Sequence, residues 1–221
     1  MCGRFALGIP PYSIIEFFNI EDLIEYEPRF NIAPTQSVPA IVQDKESHKR
    51  VLKMFHWGLI PYWAKDMKIG SRLINARSET VTTKPSFREA FKHRRCLIPT
   101  TGFYDWEKQS KRKQPYHIKM KDNEPFAFAG LWESWEGGKS VIESCTILTT
   151  EANKAIQSIH DRMPVILKPE DYDMWIDSDN TDSESLEQLL KPFLSDISEV
   201  YPISNYVNKP QHDNPQCIQP L

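Results

Sequence analysis

Residue 2 of this 221-residue chain is a cysteine, followed by Gly3 and Arg4. Methionine aminopeptidases remove an initiator methionine when the next residue is small, and cysteine qualifies. Loss of Met1 leaves an α-amine and a thiol on one residue. Such a 1,2-aminothiol does chemistry that an internal cysteine cannot. Its amine condenses with an aldehyde to a Schiff base, and the thiol then closes a five-membered thiazolidine. An α-amine titrates at about 7.7–8.0, so a useful fraction is neutral near pH 7. The thiol needs a neighbouring base or a positive field to become thiolate. The competing reading is an incidental cysteine at a frayed terminus. The remaining cysteines, at 96, 145 and 217, form no C-x-x-C pair. Their spacing fits neither a zinc site nor a secreted disulfide framework, so they read as structural and no metal or cofactor is expected.

Other residues have the chemistry to assist. Asp105 lies in the aromatic run Phe103-Tyr104-Asp105-Trp106, where a carboxylate is costly to bury unless paired or hydrogen-bonded. His160 offers an imidazole, a group that titrates near working pH and suits proton transfer, although a hydrogen-bonded core histidine is the commoner case. Asn75 taken alone is as well read as a turn cap. Arg77 and Arg162 carry charge for phosphates or for surface ion pairs, Arg162 having Asp161 beside it. Trp63 follows Ile60-Pro61-Tyr62 at an expected loop and is the exposed candidate for stacking on a base; Trp57 and Trp106 have a core reading. The stretch 88–95 holds Arg88, Lys92, Arg94 and Arg95 against Glu89. As the most basic segment, it is expected to edge a phosphate groove.

These residues need a scaffold. Hydrophobic residues make up 40% and charged residues 26% of the chain, which excludes wholesale disorder. Lys plus Arg is 27 against 30 for Asp plus Glu, net −3, so binding through bulk positive charge is excluded while a local basic groove is not. Proline is rich (17) and glycine poor (8), which favours rigid loops over tight hairpins. No apolar run approaches a membrane span and no signal-peptide layout opens the chain, so a reduced, cytoplasmic protein without membrane contact is expected.

Strands are expected at Val38–Gln43, Val51–Trp57, Cys96–Pro99, Phe103–Glu107, Tyr116–Met120, Phe126–Trp132 and Val141–Thr149. A charged turn, Lys108–Lys113, separates two of them. Short helices are expected at Ser13–Asn19, Thr83–Phe91, Ala152–Ile159, Pro169–Ile176 and Ser183–Leu190. Strands crowd the centre and helices the periphery. The expectation is a single α+β domain with a curled, barrel-like mixed sheet and short peripheral helices, over 1–207, with an irregular tail at 208–221.

A set of ordered blocks narrows the function. The chain reads MCGRF at its start, then RFNIAP (Arg29–Pro34), WGLIPYWAKD (Trp57–Asp66), INARSET (Ile74–Thr80), KPSF (Lys84–Phe87), RCLIPTTGFYDW (Arg95–Trp106), FAGLW (Phe128–Trp132) and IHDRMPV (Ile159–Val165). This order resembles the SOS response-associated peptidase (SRAP) family from residue 2 to about residue 207. The resemblance implies a sensor of abasic sites in single-stranded DNA that crosslinks itself covalently to the opened sugar, with lyase or thiol autopeptidase activity as further expectations. It also implies a compact α+β domain with a DNA groove. Cys2 would be the crosslinking residue, Asn75 would hold the reacting centre, and His160 would move protons. Arg77 and Arg162 would contact phosphates, Thr149 would line the site, and Trp63 and Trp106 would join the DNA contacts. The family's active-site glutamate is Asp105 here, one methylene shorter. The expected partner is single-stranded DNA bearing abasic sites, bound by a monomer in the cytoplasm, associated with the nucleoid in a bacterium. The alternatives are a cysteine peptidase with Cys2 as nucleophile, acting even on its own Met1 alone, and a non-catalytic reader of modified bases.

Overall fold

A computed structural model describes residues 2–21, 25–108, 113–137, 140–195 and 198–221. Its elements in chain order are β1 (Phe5–Leu7), α1 (Pro11–Phe18), β2 (Arg29–Ile32), β3 (Ser37–Gln43), β4 (Arg50–Trp57), β5 (Asn75–Arg77), α2 (Arg88–His93), β6 (Arg95–Thr100) and β7 (Gly102–Lys108). They continue with β8 (Lys113–Met120), β9 (Phe126–Trp135), β10 (Ile142–Glu151), β11 (Arg162–Pro164), β12 (Ile166–Leu167), α3 (Tyr172–Ile176), α4 (Ser183–Gln188) and β13 (Ser198–Pro202).

Five strands close on themselves. β10 pairs with β4, β4 with β3, β3 with β6, β6 with β9, and β9 returns to β10. The β4–β10 pairing is parallel and the rest of the ring antiparallel, so the barrel is mixed. Closure removes the exposed edges that an open sheet would present. A second sheet runs β13-β8-β7-β1-β2, all antiparallel. The α+β expectation, with its barrel-like sheet, is what the chain adopts.

Phe5 joins the two sheets. Its ring meets Trp57 of β4 at 5.2 Å and Phe128 of β9 at 5.9 Å, both edge-on, and all three side chains are fully buried. Burying a phenylalanine stabilises by roughly 1.5–3 kcal/mol, and each such ring pair adds about 0.5–1.5 kcal/mol. The anchor lies three residues after Cys2, so the packing that fixes β1 also fixes the start of the chain.

Several expectations change. Residues 152–159 form successive turns rather than a helix. Asn153 accepts from Ala155 N and Ile156 N through its side chain, and the chain must then reverse into β11 beside β10, so no helical ladder propagates. The helix expected from Thr83 begins only at Arg88, although Phe87 and Phe91 are both buried as their four-residue spacing implied. Low glycine did not prevent hairpins. The β3–β4 turn is built by the Asp44 carboxylate, which accepts from Glu46 N, Ser47 N and Ser47 Oγ, while His48 takes the left-handed conformation at φ 55°. Of the charged turn at 108–113, residues 109–112 lie outside the described residues, as does Met1.

Residues 208–221 hold the end of the 3₁₀ turn Asn205–Asn208 and a second, Pro215–Ile218, and otherwise lack regular structure beyond a single bridge from Pro220 to Ile203. They are nonetheless docked. Asp213 accepts from Phe30 N and Asn31 N and pairs with Arg29, and Cys217 is buried. No helix among the described residues is long and apolar enough to cross a membrane.

Candidate active site

Cys2 is fully buried. Two short strands hold what surrounds it. β5 pairs in parallel with β10 through Asn75↔Ile147, Ala76↔Leu148 and Arg77↔Thr149. Side chains alternate along a strand, so Asn75 and Arg77 share one face while Ala76 is buried on the other. Trp57 Nε1 donates to Ile74 O at 2.9 Å, which locks the residue before Asn75. Asn75 Nδ2 then donates to the Cys2 carbonyl at 2.9 Å. Its Oδ1 is buried and has no hydrogen-bond partner among the described residues. A buried amide oxygen left in that condition is costly, and a substrate hydroxyl or amine placed there would relieve it.

β7 brings Asp105, which is 3% exposed. Its Oδ1 accepts from Trp106 N at 3.0 Å. Burial raises its pKa above the ordinary carboxylate value; the charge of His160 opposes that rise. Burial also pushes the Cys2 thiol well up, and the Asp105 carboxylate adds to the effect. These mutual influences put Cys2, Asp105 and His160 in one electrostatic cluster. The field at the sulfur favours thiol over thiolate, opposite to the positive field that the sequence led one to look for. Glu107, two residues along the same face of β7, instead accepts from Tyr116 Oη at 3.2 Å.

His160 ends the turns before β11. Its Nδ1 accepts from Arg162 N at 3.0 Å and lies 2.7 Å from Asp161 Oδ1. The Arg162 guanidinium forks onto Glu79, with Nη1–Oε1 at 2.5 Å and Nη2–Oε2 at 3.0 Å, and Nη2 also reaches Thr149 O. The hydrogen bond from Arg162 holds the Glu79 carboxyl below its usual range. Thr149 is fully buried, its hydroxyl 3.4 Å from Ala76 O. Arg77 is exposed.

Trp63 is 46% exposed on the loop after β4, beside Tyr62 and Met67, which are also exposed. That loop starts at Gly58, whose φ of 137° and approach to the Gly70 backbone leave no room for a Cβ. Trp106 is half-buried, and its Nε1 donates to Asn208 Oδ1 at 2.8 Å. The basic stretch 88–95 is not a continuous groove edge. Arg95 is buried and donates to the carbonyls of Phe91, Lys92, Trp175, Asp177 and Asn180, while Arg94 pairs with the buried Glu133 at 2.9 Å. Charge in sequence was a poor guide there, because Arg95 caps carbonyls at the ends of α2 and α3 and in the turn after α3, and Arg94 is held by Glu133.

Two supporting residues were not singled out from sequence. Arg4 Nη1 donates to Asn31 Oδ1 at 2.6 Å and to Val207 O at 3.0 Å, and Nη2 reaches Asn208 O at 3.3 Å. Asn31 is fully buried, and its Nδ2 donates to the carbonyls of Val207, Lys209 and His212. The residues between Cys2 and β1, and β2 beside them, are thereby clasped to the C-terminal segment. The signal available was an arginine and an asparagine inside otherwise apolar, strand-forming blocks. Among the described residues no group of three or more His, Cys, Asp or Glu could hold a metal ion.

The family model described as "SOS response associated peptidase (SRAP)" matches residues 1–210. The chain is 44% identical over 224 residues to abasic site processing protein YoqW of Bacillus subtilis (strain 168), covering 99% of both chains. It is 28% identical to abasic site processing protein HMCES of Xenopus tropicalis, covering 99% of this chain and 78% of that one. A crystal structure of a protein from Bacteroides thetaiotaomicron superposes with a TM-score of 0.90 at 26% identity, covering 100% of both chains.

Proposed function

The chain belongs to the SRAP family, and from that premise we propose that it processes abasic sites in single-stranded DNA by forming a thiazolidine crosslink through Cys2. The observation that carries this reading is the Asn75 side chain. It grips the Cys2 carbonyl with its Nδ2 and leaves a buried Oδ1 without a partner among the described residues, on the side chain that holds the residue proposed to react.

Removal of Met1 frees the Cys2 amine. The amine attacks the aldehyde carbon of a ring-opened abasic sugar. Asp105, whose raised pKa makes it a competent acid and base nearer neutrality, takes a proton from the attacking amine. His160 protonates the departing oxygen, which leaves as water, and an imine remains. The Cys2 sulfur then bonds to the imine carbon while its proton passes to the imine nitrogen. One water is lost overall. The buried, neutral thiol fits this order, in which amine chemistry comes first and the sulfur closes the ring. A cysteine peptidase needs the opposite, a thiolate poised for direct attack.

Arg77 and Arg162 would hold the backbone by phosphate contacts, Trp63 and Trp106 would stack on flanking bases, and Thr149 would support the wall behind Arg162. The test is a denaturing gel of the processed protein with single-stranded DNA carrying one abasic site. Wild type should give a band resistant to denaturation and Cys2→Ala should not; an equally strong band from Cys2→Ala would overturn the proposal.

A further inference from the structure

We propose that Asp161 is a positioning residue that selects the working tautomer of His160; this rests on the reading above, in which His160 moves protons at the sugar. Among the described residues His160 Nδ1 meets Arg162 N at 3.0 Å and Asp161 Oδ1 at 2.7 Å. A ring nitrogen carries either a proton or a lone pair. The backbone N–H of Arg162 can be satisfied only by the lone pair, and the carboxylate of Asp161 only by the proton. The two contacts therefore belong to different states of one ring.

The states differ in what Nε2 can do. When Nδ1 accepts from Arg162 N–H, the neutral ring carries its proton on Nε2, and giving that proton up would leave an imidazolate. When Nδ1 donates to Asp161, Nε2 can cycle between two protonation states. It takes a proton to give the imidazolium and returns it to give the neutral ring, while the other proton stays on Nδ1, hydrogen-bonded to Asp161 throughout. Proton delivery to a departing oxygen, and removal of a proton in the reverse reaction, both need this second state.

The surroundings make Asp161 the adjustable partner. Arg162 N–H is fixed, because the Arg162 guanidinium is forked onto Glu79 and bonded to Thr149 O, and Ala152 N donates to Asp161 O at 3.0 Å. The Asp161 side chain is 87% exposed and free to rotate toward or away from the ring. Among the described residues the charged groups facing His160 are Asp161 from its own turn and Asp105 from β7, with Arg162, paired to Glu79, following in β11. An exposed pair is weak, so the two states lie close in energy and removal of one carboxylate tips the balance.

The experiment uses full-length protein lacking Met1, with ring nitrogens labelled by ¹⁵N, as wild type, Asp161→Ala and Asp161→Glu. NMR correlation spectra of the neutral ring should show His160 shifting toward the Nε2-protonated tautomer in Asp161→Ala. The single-turnover crosslinking rate at saturating abasic single-stranded DNA should fall about fivefold, near the upper limit for an exposed pair. Non-covalent DNA affinity should be unchanged, and Asp161→Glu should restore both tautomer and rate. An unchanged tautomer, an unchanged rate, or a rate loss that follows DNA affinity would overturn the proposal. If wild type forms no crosslink yet the tautomer shifts as stated, the functional reading fails while the tautomer assignment stands.

Discussion

Asn75 Nδ2 and the carbonyl oxygen of Cys2 are 2.9 Å apart, and this hydrogen bond spans 73 residues of sequence. It ties the start of the chain to a three-residue strand held by β10 and by the Trp57 indole. Asn75→Ala should remove both the grip and the spare acceptor. Misplacement of a reacting group by about 1 Å costs on the order of 100-fold. Single-turnover crosslinking should therefore slow by about that factor while the melting temperature changes little.

Asp105, not Glu107, should be the carboxylate that matters. Asp105→Ala should slow crosslinking by about 100-fold, by the same geometric argument. Glu107→Ala should stay near normal, because that side chain is occupied with Tyr116. Rates of the two variants at saturating DNA decide between them.

The raised pKa of Asp105 has a sign for stability. Burial makes the folded state hold the proton more tightly than the unfolded chain. The contribution is fully present below the unfolded value, about 3.9, and is lost as pH rises through the higher folded value. Asp105→Asn should thus raise the melting temperature at neutral pH, and the gain should vanish below about pH 4. Thermal unfolding of both proteins across that range checks it.

Glu79 occupies the fork of Arg162 that a phosphate would use. Glu79→Gln should strengthen non-covalent binding to single-stranded DNA and steepen its salt dependence by about 0.7 in log–log slope, one phosphate contact's worth. Titrations at several salt concentrations measure it. A slope equal to wild type would mean that Arg162 is a structural partner of Glu79 and Thr149 only.

Asn31 should be expensive to truncate. Asn31→Ala strands the carbonyls of Val207, Lys209 and His212 and removes an acceptor from Arg4. Buried groups left unsatisfied cost about 1–3 kcal/mol each, and local water will relieve some of them, so a net loss of about 3 kcal/mol is expected by denaturant unfolding.

Much of the barrel was legible in the sequence because its strands are long apolar runs. β3, β4, β9 and β10 all appear where β-branched and aromatic residues cluster. Asp105 was visible as a carboxylate that breaks an apolar run. The short strands beside Cys2 were not legible. β1 and β5 have three residues each and β2 has four, too short for any periodicity to register, and their order follows from pairing with distant strands. Asn75 was therefore ambiguous between a turn cap and a site residue until its strand was seen beside β10. Arg94 and Arg95 show the converse limit. Their charges suggested a groove, yet tertiary packing turned them inward to Glu133 and to carbonyls at the end of α3 and in the turn after it.

The most direct measurement is the intact mass of the processed protein after incubation with single-stranded DNA carrying one abasic site. A Cys2 thiazolidine predicts protein without Met1 plus DNA less one water, and no such species from Cys2→Ala or from protein that keeps Met1. A denaturation-stable adduct on protein retaining Met1, at the mass of that protein plus DNA less one water, or no covalent species at all with a site confirmed to be abasic, would contradict it.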